Sequence, residues 1–354
     1  MQNDIPFEIG TLSTLILNTL NEHSNLELLK EAIITTSSIK RLIAHDGCVA
    51  FPRIANAMRA NKSVTSLDLT RNKEHLAFDT LAKILEENDT LTELILRECD
   101  IGSKGAMQIS EALKSNSSLR RLDLSSNKIE AEGLQVLASA LKTAKSLNHL
   151  MIGGNGDNIL TDLLDAVKSH DTLTRLDLST TYFSNQECQS LFTALTANKK
   201  IKTLELNQCI VSHEGWTLIA KLLEMNDTLT DLDLTTSNLK ATDCEKISTA
   251  LAINSTLKVL KIGSRNMPIS QESMNIDRAI AKALQNNSSL TDLRIQKLIM
   301  NNSVVDICEG LKFNKSLTSL YIREIMDMKD FGFEAFTEAL KINPTLKHLD
   351  IGSY

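Results

Sequence analysis

Carboxylates recur along this sequence at a fixed interval: Asp123, Asp177, Glu205 and Asp233 all occupy one position of a repeating pattern. If the repeats stack, these acids lie side by side at about 5 Å, where like charges repel unless something neutralises them. Such a ridge would steer and bind a basic protein surface. In the same column Met151 interrupts the acids, Lys261 and Arg294 turn it basic, and Tyr321 follows, with Arg323 two residues further on. Two positions earlier in their repeats stand Arg121, His149, Arg175 and Asp231. Arg121 and Arg175 could instead compensate the neighbouring acids, and the column would then need no partner. Met151 and Tyr321 are read as apolar anchors of a contact face, and Tyr182 as an exposed rim contact.

Other reactive residues do not assemble. The six cysteines (Cys48, Cys99, Cys188, Cys209, Cys244, Cys308) are scattered without a CxxC, and read as buried structural thiols in a reduced compartment. No HExxH or phosphate-binding GxxxxGK[ST] occurs, and Gly153-Gly154-Asn155-Gly156 reads as a turn. We therefore expect no catalytic residues, no cofactor, no metal and no enzymatic activity.

The elements that must position these side chains follow from an LxxLxL unit. Its first apolar positions are Ile39, Val64, Leu91, Leu119, Leu147, Leu173, Ile201, Leu229, Leu257, Leu290, Leu317 and Leu346. Successive spacings run from 25 to 33 and mostly fall at 27–29, the mark of a repeat architecture. Alternation within each unit predicts a short strand. Before the next unit, apolar residues at steps of three and four (Leu134, Leu137, Ala140, Leu141; Trp216, Ile219, Leu222, Leu223; Phe333, Phe336, Ala339, Leu340) predict an amphipathic helix. One strand–helix unit cannot bury its leucines alone, whereas stacked units bury them together. Helices are wider than strands, so a stack curves with its strands inside. Twelve strands give a concave sheet roughly 50 Å long.

Asn116-Ser-Ser-Leu-Arg-Arg-Leu-Asp-Leu-Ser-Ser-Asn127, continuing through Lys142, resembles leucine-rich repeats of the ribonuclease-inhibitor type. The resemblance implies an α/β leucine-rich-repeat solenoid, a horseshoe with parallel strands on the concave face and helices on the convex face. It covers residues 39–354 as about twelve strands. Residues 1–38 are expected to form a mainly helical N-terminal cap. Within it Leu12–Leu17 fits a strand or a helix, the helix being favoured. The bend position, eight residues after the first apolar one, holds Asn72, Cys99, Asn127, Asn155, Thr181, Cys209 and Ser237, all able to bond neighbouring backbone. The pattern then fails at Arg265, Leu298 and Ile325, and a loop is expected around 265–270. The sequence ends on a strand, so either the chain is truncated or another chain covers that edge. Otherwise a monomer is expected.

Charge and hydropathy narrow the partners. A net charge of -6 argues against nucleic acid or anionic membrane surfaces, and no apolar run is long enough to span a bilayer. Met1-Gln2-Asn3-Asp4 lacks the basic start of a secretory signal, so a cytoplasmic location is expected. The reading reached is a non-enzymatic scaffold that docks another folded protein with a basic patch and masks or inhibits it. Resemblance to Ran GTPase-activating proteins offers the alternative of a GTPase activator. A stand-alone solenoid also resembles leucine-rich-repeat effectors of intracellular bacteria such as Legionella, which act in host cytosol.

Overall fold

A computed structural model describes residues 12–17, 26–46, 48, 51–73, 76–156, 161–264, 273–296, 304–324 and 330–352. The chain forms two compact units, 1–155 and 156–354. In both, short parallel strands alternate with helices, and each strand's neighbour in the sheet is the equivalent strand of the adjacent repeat.

The first unit has strands β1 (Thr14–Ile16), β2 (Arg41–Ile43), β3 (Ser66–Asp68), β4 (Glu93–Ile95), β5 (Arg121–Asp123) and β6 (His149–Met151), paired in that order. Helices α1 (Glu27–Thr35), α2 (Phe51–Ala60), α3 (Phe78–Glu87), α4 (Gly102–Ser115) and α5 (Ala131–Leu141) connect them. Leu119, Leu122 and Leu124 are fully buried, as are the helix positions Leu137, Ala140 and Leu141. Alternation within the strand and the three-four spacing within the helix thus bury the expected side chains together.

The helical expectation for Leu12–Leu17 does not hold. Thr14–Ile16 is a strand in parallel register with Arg41–Ile43, and Leu17 N donates to Ile43 O at 2.8 Å. A helix would have left the outer backbone edge of β2 unpaired. Leu17, just past the strand, is buried while Ile16 faces solvent.

The second unit opens with α6 (Thr161–Lys168). Its sheet runs β7 (Arg175–Asp177), β9 (Thr203–Glu205), β11 (Asp231–Ser237), β12 (Val259–Ser264), β13 (Asp292–Gln296), β14 (Ser319–Arg323) and β15 (His348–Gly352). A separate parallel pair, β8 (Tyr182–Phe183) and β10 (Ile210–Val211), lies past two of the bends. The helices are α7 (Asn185–Ala197), α8 (His213–Met225), α9 (Ala241–Ile253), α10 (Ser273–Asn286), α11 (Val304–Phe313) and α12 (Asp330–Ile342). Helix α7 starts on a capping box, with Ser184 N donating to Glu187 Oε2 at 3.0 Å and Glu187 N to Ser184 Oγ at 3.3 Å. Trp216 is wholly buried in α8. The expected loop at 265–270 and the bend positions Arg265, Leu298 and Ile325 lie outside the described residues.

The last repeat departs from its predecessors. Leu340 is 43% exposed, whereas its equivalents Leu223 and Leu311 are buried, because no described repeat stacks beyond it. Truncating Leu340 to alanine is therefore expected to cost under about 1 kcal/mol, well below the 2–5 kcal/mol of a fully buried leucine. Urea denaturation of Leu340→Ala against wild type measures this. A loss above that limit would mean that something covers this helix.

Candidate functional site

The sheet face opposite the helices presents one side chain per repeat in each register column. In the second unit one column runs Asp177, Glu205, Asp233, Lys261, Arg294, Tyr321, Asp350, each the register partner of the next. This is an unbroken row of acid, acid, acid, base, base, aromatic and acid. Strand pairing alone fixes their neighbourhood, since parallel register places like positions about 4.8 Å apart.

The acids have two different tasks. Asp177 Oδ1 accepts from Ser179 N at 2.8 Å, and Asp233 Oδ1 accepts from Thr235 N at 3.0 Å and Thr235 Oγ1 at 2.6 Å. These are side chains closing the turn that ends their own strand. Asp68 and Asp123 in the first unit do the same, taking Thr70 N at 3.1 Å and Ser125 N at 2.9 Å. Glu205, a carbon longer, has no such turn contact among those described. It sits between Asp177 and Asp233 with its side chain only 15% exposed. Burial, then the charge of Asp177 and a hydrogen bond with it, push the Glu205 carboxyl up to about 7, against the pull of Arg175.

Cations answer the acids unevenly. Arg175 donates to Glu205 across the strand pair. Lys261 Nζ lies 3.0 Å from Asp233 Oδ2. Arg294 holds both oxygens of Asp292, at 3.0 and 3.1 Å, while its guanidinium lies 4.7 Å from the Tyr321 ring centroid. Tyr321 in turn lies 5.6 Å from the His348 ring, and Arg323 pairs with Asp350. Asp231, at the edge of the same face, accepts from Thr230 Oγ1 at 2.6 Å.

In the first unit the equivalent row is Ile43, Asp68, Ile95, Asp123, Met151, so acids alternate with apolar side chains and none is adjacent to another. Arg121 pairs with Glu93 at 3.0 Å rather than with Asp123. His149 is the register partner of Arg121. Met151, read from the sequence as an apolar anchor, is 6% exposed and lies recessed in its row. Asp123 and Asp233 are each 8% exposed and lie recessed rather than proud of the face. Neighbouring strands stand close enough for flanking side chains to cover a short one. Tyr182 is 46% exposed and pairs in register with the exposed Ile210 on the β8–β10 ribbon.

Sequence reasoning missed a second column of asparagines, which hold the repeats together. Asn61, Asn88, Asn116, Asn198, Asn226, Asn254, Asn287, Asn314 and Asn343 each stand three residues before the first apolar position. Asn88 shows the pattern. Its Nδ2 donates to Met58 O at 2.8 Å and Asn61 O at 2.9 Å in the preceding repeat, and its Oδ1 accepts from Thr90 N at 3.0 Å and Leu91 N at 2.8 Å. One side chain thus closes the turn after its own helix and caps a carbonyl at the end of the previous one. The signal was present as an Asn-x-x-Leu period. His170 replaces Asn in one repeat and accepts Leu173 N on Nδ1 at 3.1 Å.

All six cysteines are free and buried, and burial pushes the thiols of Cys99, Cys188, Cys209 and Cys308 up to about 12, away from nucleophilic thiolate. Among the described residues no group of three or more His, Cys, Asp or Glu is placed to hold a metal ion. No described helix is long and apolar enough to cross a membrane.

A family model described as Leucine Rich repeat matches residues 87–110 and 115–138. Among solved structures, the chain is similar to Leiomodin-1 Actin-Binding Site 2 (ABS2) at 21% identity and a TM-score of 0.35. That match covers 44% of this chain and 91% of the other.

Proposed function

From its α/β leucine-rich-repeat solenoid fold, we propose that this chain is a non-enzymatic scaffold that binds another folded protein on the sheet face of its second unit. The supporting observation is the acid row Asp177, Glu205, Asp233, whose middle carboxyl is pushed up to about 7 by burial and then by the charge of Asp177 beside it. A basic patch on a partner would neutralise that row. Arg294 stacked on Tyr321 would extend the contact with a preordered cation and aromatic at its far end. Docking there would cover part of the partner's surface, which is the mode of masking we favour. The buried free thiols suit a reducing compartment such as the cytosol.

The test must spare the turns. Asn at 177 and 233 keeps the Oδ1 acceptor, so Asp177→Asn, Glu205→Gln and Asp233→Asn together remove charge without removing the turn bonds. Proteins captured on immobilised wild type are titrated against this triple variant. Affinity is expected to fall three- to tenfold at low salt, with a flatter salt dependence, while thermal stability does not fall. Unchanged affinity and salt slope would rule out this row as the site.

A further inference from the structure

The asparagine column carries a consequence for covalent modification. Seven of its members lie in Asn-X-Ser/Thr triplets, the acceptor signal for N-linked glycans: Asn61, Asn88, Asn116, Asn226, Asn254, Asn287 and Asn314. Such triplets ordinarily serve as acceptors on exposed loops. Here the acceptor atom is structural.

We infer that N-glycosylation and folding of this chain are mutually exclusive, because the seven acceptor nitrogens are the donors that tie each repeat to the one before it. Six of the seven asparagines are buried and Asn116 is part-buried. In the first unit Nδ2 of Asn88 and of Asn116 reaches Met58 O at 2.8 Å and Leu85 O at 2.7 Å, and Asn61 reaches Ile33 O. In the second unit Asn226 reaches Leu195 O at 2.7 Å and Asn254 reaches Leu223 O at 2.7 Å. Asn287 reaches Leu251 O at 2.6 Å and Asn314 reaches Leu284 O at 2.7 Å. Transfer from a lipid-pyrophosphate oligosaccharide bonds Nδ2 to the sugar's anomeric carbon. The sugar–pyrophosphate bond breaks, and one Nδ2 proton leaves to a base of the transferase. The nitrogen then keeps one hydrogen where Asn88, Asn254, Asn287 and Asn314 use two, and a sugar ring stands where a backbone carbonyl packs. Buried carbonyls would lose their donors and adjacent repeats could not close.

The last member of the column supplies a control. Asn343-Pro344-Thr345 is not an acceptor triplet, since proline occupies its middle position. Asn343 nevertheless makes the full set, to Leu311 O at 2.6 Å and Asn314 O at 2.9 Å, with Thr345 N and Leu346 N on its Oδ1. The backbone of these asparagines is already extended, with ψ of 118° at Asn88 and 129° at Asn116, as a residue before proline prefers. Proline in the middle position therefore removes the acceptor signal and keeps the column.

The experiment translates the full chain behind a cleavable secretory signal into microsomes, under reducing conditions that keep the thiols free. Protease-resistant and protease-sensitive products are separated, and glycans are mapped by site-resolved mass spectrometry. Resistant wild-type chains are expected to carry no glycan at the seven asparagines, and chains that carry one are cleaved at least tenfold faster. The variant K62P/D89P/S117P/D227P/S255P/S288P/K315P, or wild type with a competing acceptor tripeptide, is expected to recover the resistance seen without microsomes. A protease-resistant chain glycosylated at any of the seven would overturn the inference. So would wild type that stays sensitive in the lumen when the tripeptide has blocked transfer.

Discussion

Replacing Asn127 by alanine is expected to destabilise the first unit by roughly 3–5 kcal/mol. Asn127 is fully buried at its bend. Its Oδ1 accepts from Cys99 N at 2.7 Å and its Nδ2 donates to Leu96 O at 2.7 Å, both in the preceding repeat. Alanine leaves that amide and that carbonyl buried without partners, and each unsatisfied group costs about 1–3 kcal/mol. The bonds cross a repeat boundary, so the loss also weakens stacking, which holds a solenoid together. The column contains its own intermediate case. Cys99 occupies the equivalent bend one repeat earlier, and its Sγ donates to Leu69 O at 3.0 Å. Asn127→Cys is therefore expected to keep a weak donor, lose the acceptor, and fall between wild type and alanine. Ser125→Ala, on the outer face beside it, should change stability by under about 0.5 kcal/mol. Native-state hydrogen exchange over residues 91–155 reads all three variants on this unit alone. Equal protection in Asn127→Ala and wild type would show that the bend ladder is not what ties these repeats.

These expectations show where the sequence was transparent and where it was not. Leu119, Leu122 and Leu124 declare themselves because burial repeats with the chain, and Asn127 declares itself because residues able to bond neighbouring backbone recur at its bend position. Asp123 and Asp177 were harder to read. Their recurrence looked like a binding ridge, yet each closes the turn two residues on, a task within the fold that needs no partner. The asparagines before each strand were overlooked because they fall between the apolar pattern of a helix and that of a strand, where residues read as loop. Thr14–Ile16 was misread because Leu12, Leu15 and Ile16 fit both periods, and only the pairing of Leu15 with Leu42 decides. Arg175 illustrates a further limit. Its position predicts compensation of a neighbouring acid, but which acid depends on the side-chain path, and the structure gives Glu205.

Glu205→Gln is expected to stabilise the second unit above pH 7 by about 2–3 kcal/mol, with the gain vanishing in acid. The sign follows from the raised carboxyl. In the unfolded chain Glu205 loses its proton near the ordinary value of about 4.5, whereas the folded chain holds it up to about 7. Below the lower value both states are protonated and the side chain adds no pH dependence. Between the two the folded state binds more protons, so stability falls as pH rises. Above about 7 folding must accommodate a buried carboxylate beside Asp177 and Asp233, and the full penalty is present. Glutamine is neutral throughout, so the gap between variant and wild type should open from pH 4.5 to 7 and then stay level. Thermal or urea unfolding at several pH values measures it, and parallel curves would show that Glu205 is not held near neutrality. The same charge links stability to binding. A cation docked against Glu205 favours its ionised form, so the proposed partner should release up to one proton on binding near pH 6 and little above pH 8. Calorimetry in buffers of different ionisation heat measures that release. Proton release in wild type that persists in Glu205→Gln would place the titrating group elsewhere.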